Sequence, residues 1–498
     1  MQEATGLNIN ITMPKSIQAW FLLLLSHFVA SDDPGSCVYK VCFCLETTID
    51  CENLHLTEIP QTNATNFTGF STLDFTYNEI SIIRSGSLPP NMTEISLQDN
   101  PVASIDDSAF EGSSSTLQSL EFSHALFQKI PDALLRLDSL KSLTVAHSKI
   151  EDWNEDVMIQ LGRTLTFLNL ENVSLTSWPT WIQHLPMLTD LSISSCLLTS
   201  MPDDALDSIA GSLVSLLLSR NRLTSVPKAL SKLTALQTLY INNNMLVDVS
   251  WLPQKSPLTT LILNNNHIKN STALSTALRP YGNSLTDLEI KNNQLTSIPD
   301  CSFLILIENW DFSHNRISDP YSGSVNPNIT SIDLSYNALQ TIPPVLTTLQ
   351  QMNILLLPWN DIKVITSTRI PTWITELELG FNLVSVLTDN SFPQDSQLVT
   401  LHLNNNPIVE ISNLAFKSTP MLRELNLQGT RLKRLPIALG SISGLTYFDM
   451  SNISQLVCTC MESSLKQWIL SQSSGSVVGN CGETSIYDFF SKLSSACP

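Results

Sequence analysis

Ser331–Pro343 reads SIDLSYNALQTIP. Ile332 and Leu334 alternate with Ser331, Asp333 and Ser335, the two-residue period of a strand with one buried face. Asn337 ends that alternation, and Leu339, Ile342 and Pro343 follow. The same order returns in TLILNNNHI (Thr260–Ile268), DLEIKNNQLTSIP (Asp287–Pro299) and TLHLNNNPI (Thr400–Ile408). The shared frame is L-x-x-L-x-L-x-x-N-x-L-x-x-I-P. Its ninth position falls at Asn78, Asn100, Ala125, Ser148, Val173, Cys196, Asn221, Asn244, Asn266, Asn293, Asn315, Asn337, Asn360, Asn382, Asn406 and Thr430. A degenerate seventeenth copy, LTYFDMSNI, spans Leu445–Ile453. Successive spacings run from 22 to 27 residues.

This is the period of the leucine-rich repeat. Positions 4 and 6 point inward, position 9 turns the chain, and positions 11 and 14 return apolar groups to the interior. An Asn at the turn can bond backbone groups within and between coils. One coil cannot bury its own Leu residues, whereas stacked coils share a continuous core. The expected architecture is an α/β repeat: a curved right-handed solenoid with a long parallel sheet on its concave face. Units three to six lack the Asn, so their turn ladder should be weaker. Cys196 is an allowed substitute there and reads as a buried thiol. The longest interval, Asn266 to Asn293, places extra chain on the convex side around Ser271–Tyr281.

Composition agrees. The 498 residues are 43% hydrophobic and 14% charged, enough for a large core and too apolar for disorder. The formal charge of −19 argues against nucleic-acid binding and for solubility, or for cationic partners. Ile17–Ser31 is an apolar run of signal-peptide length, preceded by Lys15 and ending in Val29-Ala30-Ser31. Glu3 is unusual in a leader, which points to Met13 as the start. No later run is long enough to span a bilayer, and the chain stops after its last cysteine, which favours a free secreted protein. Cysteines cluster at both ends (Cys37, Cys42, Cys44, Cys51; Cys458, Cys460, Cys481, Cys497), with Cys196 and Cys301 between. In an exported chain such clusters read as disulfide-stapled caps rather than zinc sites. Glycosylation sequons fall at Asn63, Asn66, Asn91, Asn172, Asn270, Asn328 and Asn452.

The ends resemble those of extracellular leucine-rich repeat proteins with cysteine-rich flanking caps. CVYKVCFCLETTIDCENLHLTEIP (Cys37–Pro60) is similar to the family's N-terminal cap, and CTCMESSLKQWIL (Cys458–Leu470) to its C-terminal cap, with Trp468 in the aromatic place. The resemblance implies the pairs Cys37–Cys44, Cys42–Cys51, Cys458–Cys481 and Cys460–Cys497. IDDSAFEG (Ile105–Gly112) resembles the outer segment of animal-type repeats, and the plant-type L-x-G-x-I-P is missing. The expected organisation is a signal peptide at 1–31, an N-terminal cap at 32–66, repeats at 67–456 and a C-terminal cap at 457–498.

Nothing in the chain carries the signature of an enzyme. G-x-S-x-G, H-E-x-x-H, a Gly-Lys phosphate loop and a dinucleotide fingerprint are all absent, and no cofactor is expected. His124 and His147 share position 8 in adjacent units but make a poor metal site as a pair. Binding is left to the concave face, built by positions 2, 3, 5, 7 and 8. At position 5, Leu217, Tyr240 and Ile262 form an expected exposed apolar ladder, followed by an acidic one, Glu289, Asp311 and Asp333. At position 8, His314, Tyr336, Trp359 and Phe381 form a ring stripe suited to Arg or Lys side chains. Glycans at Asn172 and Asn452, also position 8, would shield both ends and leave units seven to sixteen open. Arg431, Lys433 and Arg434 read as a solvated edge. The expected function is non-catalytic recognition of an extracellular protein or peptide, a basic one favoured. The alternatives are a carbohydrate or glycoconjugate ligand, inhibition of an extracellular hydrolase, and a receptor ectodomain lacking its membrane segment.

Overall fold

The computed structural model describes residues 37–61, 69–473 and 475–492. The apolar run Ile17–Ser31, Asn63, Asn66 and Cys497 lie outside the described residues.

Each of the seventeen units contributes one strand of three to five residues, stacked parallel in chain order. The frame sets the register. Ile332 pairs with Leu355, Leu355 with Leu377 and Leu377 with Leu401, all position 4. These and the position-6 residues Leu334, Leu357, Leu379 and Leu403 are fully buried. At about 1.5–3 kcal/mol for each buried Leu or Ile, the stacked interior outweighs what any single coil could bury. The result is an α/β leucine-rich repeat solenoid.

The recurring I-P governs the return path. Pro131, Pro179, Pro227, Pro343 and Pro436 each sit extended immediately before a short 3-10 helix. Proline presets φ for that entry and loses no needed donor. In the longest interval the extra chain forms an α-helix, Ser271–Leu278, on whose first turn the Asn270 side chain accepts from the Ala273 N–H at 2.9 Å.

The position-9 Asn side chains tie coil to coil. Asn360 Oδ1 accepts from Leu339 N at 3.0 Å, and its Nδ2 donates to Leu334 O at 2.9 Å and Leu357 O at 3.1 Å. In units three to six the ladder thins as expected. Ser148 Oγ accepts from Ala125 N at 3.0 Å, and Cys196 Sγ donates to Ser194 O of its own turn at 3.3 Å. The strands answer this loss. Ser119–Ser123, Ser142–Ala146, Phe167–Glu171 and Asp190–Ser194 are five residues long, where most others have three. Without a side chain claiming the position-6 carbonyl, strand pairing runs on through positions 6 and 7.

The long sheet opens once, between units ten (Asp287–Glu289) and eleven (Asn309–Asp311). Elsewhere a position-6 N–H donates to the next unit's position-5 carbonyl, as Leu263 does to Glu289 and Phe312 to Asp333, both at 2.8 Å. Among the described residues the equivalent bond from Ile290 is missing, although Asn292 N still donates to Ser313 O at 2.9 Å. Unit eleven carries Trp310 and Phe312 at positions 4 and 6, stacked at 5.0 Å. Two large rings occupy space that two aliphatic chains fill in neighbouring coils. We assign the gap to that extra volume, while the turn stays closed.

Both ends are stapled. Cys37–Cys44 and Cys42–Cys51 fix a hairpin (Phe43–Leu45, Thr48–Asp50) that pairs with the first repeat strand. Cys458–Cys481 holds the other cap, and Val477–Val478 extends the sheet beyond Tyr447–Asp449. The expected partner of Cys460, Cys497, lies outside the described residues. Trp468 packs edge-on against Phe448 at 6.0 Å. One expectation is corrected here: Arg434 is not part of a solvated edge. Its Nε donates to Glu462 Oε1 at 2.5 Å and its Nη2 to Thr459 Oγ1 at 2.7 Å, and Glu462 is 2% exposed. The pair fastens the last repeats to the cap.

Candidate binding surface

Positions 3, 5 and 7 alternate outward from the buried frame, so each position forms a ladder across the concave sheet. The expected apolar ladder is the first departure. Leu217 and Tyr240 are half-buried, but Ile262 is 5% exposed. Its register partners are Tyr240 on one side and Glu289 on the other, and their longer side chains close over it. Ile262 is therefore covered on the sheet face, and Leu217, Tyr240 and Ile262 form no exposed apolar stripe.

The acidic ladder is largely satisfied by its own chain. Asp311 Oδ1 accepts from Ser313 N at 2.9 Å, and Asp333 Oδ1 from Ser335 N at 2.8 Å. Each carboxylate thus ends its strand by bonding the amide two residues on. Glu289 accepts from the Asn264 amide, and Lys291 Nζ lies 3.7 Å from Asp311 across the sheet opening. Burial still raises the Glu289 and Asp333 carboxyls, with Asp287 and Asp311 respectively adding to the rise. Three units beyond Asp333, His402 sits between Glu378 (2.9 Å) and Glu424 (3.1 Å). The Glu378 hydrogen bond, helped by that of Glu424, pushes the imidazole up to about 9 against the effect of burial. This half-buried triad was not read from the sequence; a His among Glu residues at positions 3 and 5 of adjacent units was its only signal.

The ring stripe has a specific geometry. Position 8 is left-handed in every unit, with φ from 50° to 58° at the sixteen non-glycine residues and 65° at Gly429. Asn, Asp, His and Gly fill most of these places, as that conformation favours. Tyr336, Trp359 and Phe381 hold it in three consecutive units despite their bulk. Their rings lie face to face: His314–Tyr336 at 4.2 Å, Tyr336–Trp359 at 5.4 Å and Trp359–Phe381 at 4.0 Å, all within 12° of parallel. The faces are covered by one another, so the 37–44% exposure of Tyr336, Trp359 and Phe381 is mainly of ring edges. Rings cover the inner faces of the stripe, so a cation would meet it at the ring edges or at the outer faces of His314 and Phe381.

A hollow of about 650 Å³ runs along this turn edge, lined by residues of units nine to thirteen, including Asn292, Gln294, His314, Arg316, Tyr336 and Trp359. A second, of about 530 Å³, lies on the concave face of units two to five between Glu121, Glu171, Asn169, Phe167 and the stacked pair His124–His147. Neither was expected; polar residues at positions 5, 7 and 8 of units two to five, and amides beside Arg316, were the available signs. His124 bonds Asp99 at 2.6 Å and His147 bonds Asn172 at 3.0 Å. Among the described residues no group of three or more His, Cys, Asp or Glu could hold a metal ion. Asn91, Asn172, Asn270, Asn328 and Asn452 are all exposed. Cys196 and Cys301 are free and buried, and burial raises both thiols.

A closed Leu/Asn frame, disulfide caps and an open sheet face define a capped leucine-rich repeat protein. The leucine rich repeat family model matches residues 90–150, 186–246, 374–432 and 396–453, so the chain carries leucine-rich repeats. It is 27% identical to podocan-like protein 1 of Mus musculus over 398 residues, covering 75% of this chain and 68% of that one. It is 34% identical to lumican of Gallus gallus over 148 residues, 28% of this chain and 42% of lumican. Among solved structures, the plant peptide hormone receptor RGFR1 in complex with RGF2 superposes with a TM-score of 0.51 at 20% identity, over 80% of this chain and 74% of that one. That likeness is one of fold.

Proposed function

We propose that the chain is a secreted, glycosylated, non-catalytic recognition protein that takes a basic protein or peptide segment on the concave face of units ten to sixteen. The observation that carries this reading is the half-buried acidic ladder. Glu289 and Asp333 are held above the usual carboxylate range by burial beside other carboxylates, a cost that a bound Lys or Arg side chain would relieve. Asp287, Glu376 and Glu378 extend the same charge, against Lys291, His402 and Arg423. Secretion is supported by the leader-like run Ile17–Ser31 and the stapled caps.

The test uses the mature chain on arrays of Lys- and Arg-rich peptides beside an Asp311→Asn/Asp333→Asn variant. Asn keeps the acceptor for the Ser313 and Ser335 amides and removes the charge. Expected is selective capture of basic peptides that fades with salt and falls at least tenfold in the variant, about 1.4 kcal/mol. Equal capture by both proteins would remove the reading.

A further inference from the structure

The turn edge beside the ring stack differs in chemistry from the acidic face it borders. Arg316 lines the hollow there, is exposed, and has no ion-pair partner among the described residues. Lys269 and Lys363 flank it by register, at position 12 of units nine and thirteen, and are likewise exposed and unpaired. The carboxylates nearest to them in the frame are Asp361, at position 10 of unit thirteen, Asp319, at position 13 of unit eleven, and Asp248, at position 13 of unit eight. Strands spaced about 4.8 Å apart put these three cations at intervals of roughly two coils, or about 10 Å. In a chain of net charge −19, three exposed cations without an ion-pair partner among the described residues set this edge apart.

The rest of the lining is hydrogen-bonding and flat. Asn292 donates to Asn265 at 2.5 Å, and Gln294 lies 3.2 Å from the His267 ring nitrogen. Those contacts orient the amides and leave each with further donor and acceptor capacity. Groups that both donate and accept match hydroxyls, which do the same. Tyr336 and Trp359 present ring edges, the positive rim of the aromatic quadrupole, on the same side as Arg316.

We propose that this groove binds an anionic saccharide chain, sulfated or uronic, laid along the turn edge of units nine to thirteen. Cations at about 10 Å intervals meet its charges, the amides meet its hydroxyls, and the ring edges form the wall. An acidic peptide would satisfy the cations and offer backbone N–H donors, but it lacks the run of hydroxyls that both donate and accept. None of the residues lining the hollow is itself a sequon, but Asn270, beside Lys269 at the unit-nine end, is one, and a glycan there would border the groove. The site is separate from the acidic face, and its ligand has the opposite charge.

The full mature chain is passed over immobilised heparin, hyaluronan, dextran and polyglutamate at low and high salt. Binding to heparin or hyaluronan, weaker at high salt, with neither dextran nor polyglutamate retained, is expected. Arg316→Gln should weaken it about tenfold, the loss of one charge-assisted hydrogen bond. Lys269→Gln/Lys363→Gln should do the same, and Arg431→Gln/Lys433→Gln, outside the groove, should not. Asp333→Asn should leave saccharide binding intact, which separates this site from the peptide reading. Unchanged near-ultraviolet dichroism keeps each variant interpretable. Equal retention by polyglutamate, an equal loss in the Arg431/Lys433 control, or no binding to either anionic chain overturns the proposal.

Discussion

Position 8 shows what a single residue does in this fold. The turn requires a left-handed residue there, and Trp359 supplies it at φ 57°. A non-glycine residue loses about 1–2 kcal/mol in that conformation, and Asn less than most. Stacking on Tyr336 and Phe381 returns about 0.5–1.5 kcal/mol per pair. Trp359→Ala forfeits the stack and keeps the strain, whereas Trp359→Asn forfeits the stack and relieves it. The Asn variant should therefore be the more stable of the two by about 1 kcal/mol in urea unfolding. Equal midpoints would mean that backbone strain contributes little here. His402 is the second residue of this kind. Its imidazole is raised from 6.5 to about 9 in the folded chain by Glu378 and Glu424. The stabilisation it gives is fully present below the unfolded value and is lost as pH rises through about 9. Melting temperature should fall between pH 6.5 and 9.5, and His402→Gln should flatten that slope.

Among the elements, the C-terminal cap depends most on one contact. Glu462 is 2% exposed and Arg434 is its cation. Arg434→Ala would strand a buried carboxylate at a cost of about 3 kcal/mol, toward the lower end for broken buried pairs because Arg434 is partly exposed. Trp468 reports on the cap from its place against Phe448. Its fluorescence should change at lower urea in the variant, and an unmoved transition would contradict the role given to the pair. The sequence showed Arg434 only as one of three neighbouring cations, because its partner lies 28 residues on in another fold element. The same limit explains the other departures. Ile332, Leu334, Asn337, Leu339 and Ile342 were legible because the coil buries them whatever surrounds it. Ile262 sits at an outward position, and its burial depends on Tyr240 and Glu289 reaching across from adjacent strands. The ring stripe was legible as a row, but not the covering of one face by the next. That follows from the left-handed turn, which the Asn, Asp, His and Gly at position 8 encode.

At the scale of the whole molecule, the solenoid behaves as nearest-neighbour coils, so its weakest junction governs how it moves. The junction between units ten and eleven has its turn bonds but not its strand bond. It also lies where the acidic ladder crosses from one sheet to the other, with Lys291 and Asp311 as the charged contact between them. Local opening should begin there, because an amide without a partner exchanges from a state close to the native one. In hydrogen exchange, peptides covering Glu289–Ile290 should therefore label faster than those covering Leu355–Leu357, where pairing is intact. The cause assigned is volume: Trp310 and Phe312 stacked where neighbouring coils hold aliphatic chains. Trp310→Leu should let the strands close, give the Ile290 amide its bond to the Asp311 carbonyl, and slow its exchange toward that of Leu357. It also removes an indole nitrogen buried without a partner, which offsets part of the lost ring burial. If Ile290 exchanges as fast in Trp310→Leu as in the native chain, the rings do not hold the sheet open, and the cause lies in the path through Cys301–Glu308 that joins the two strands.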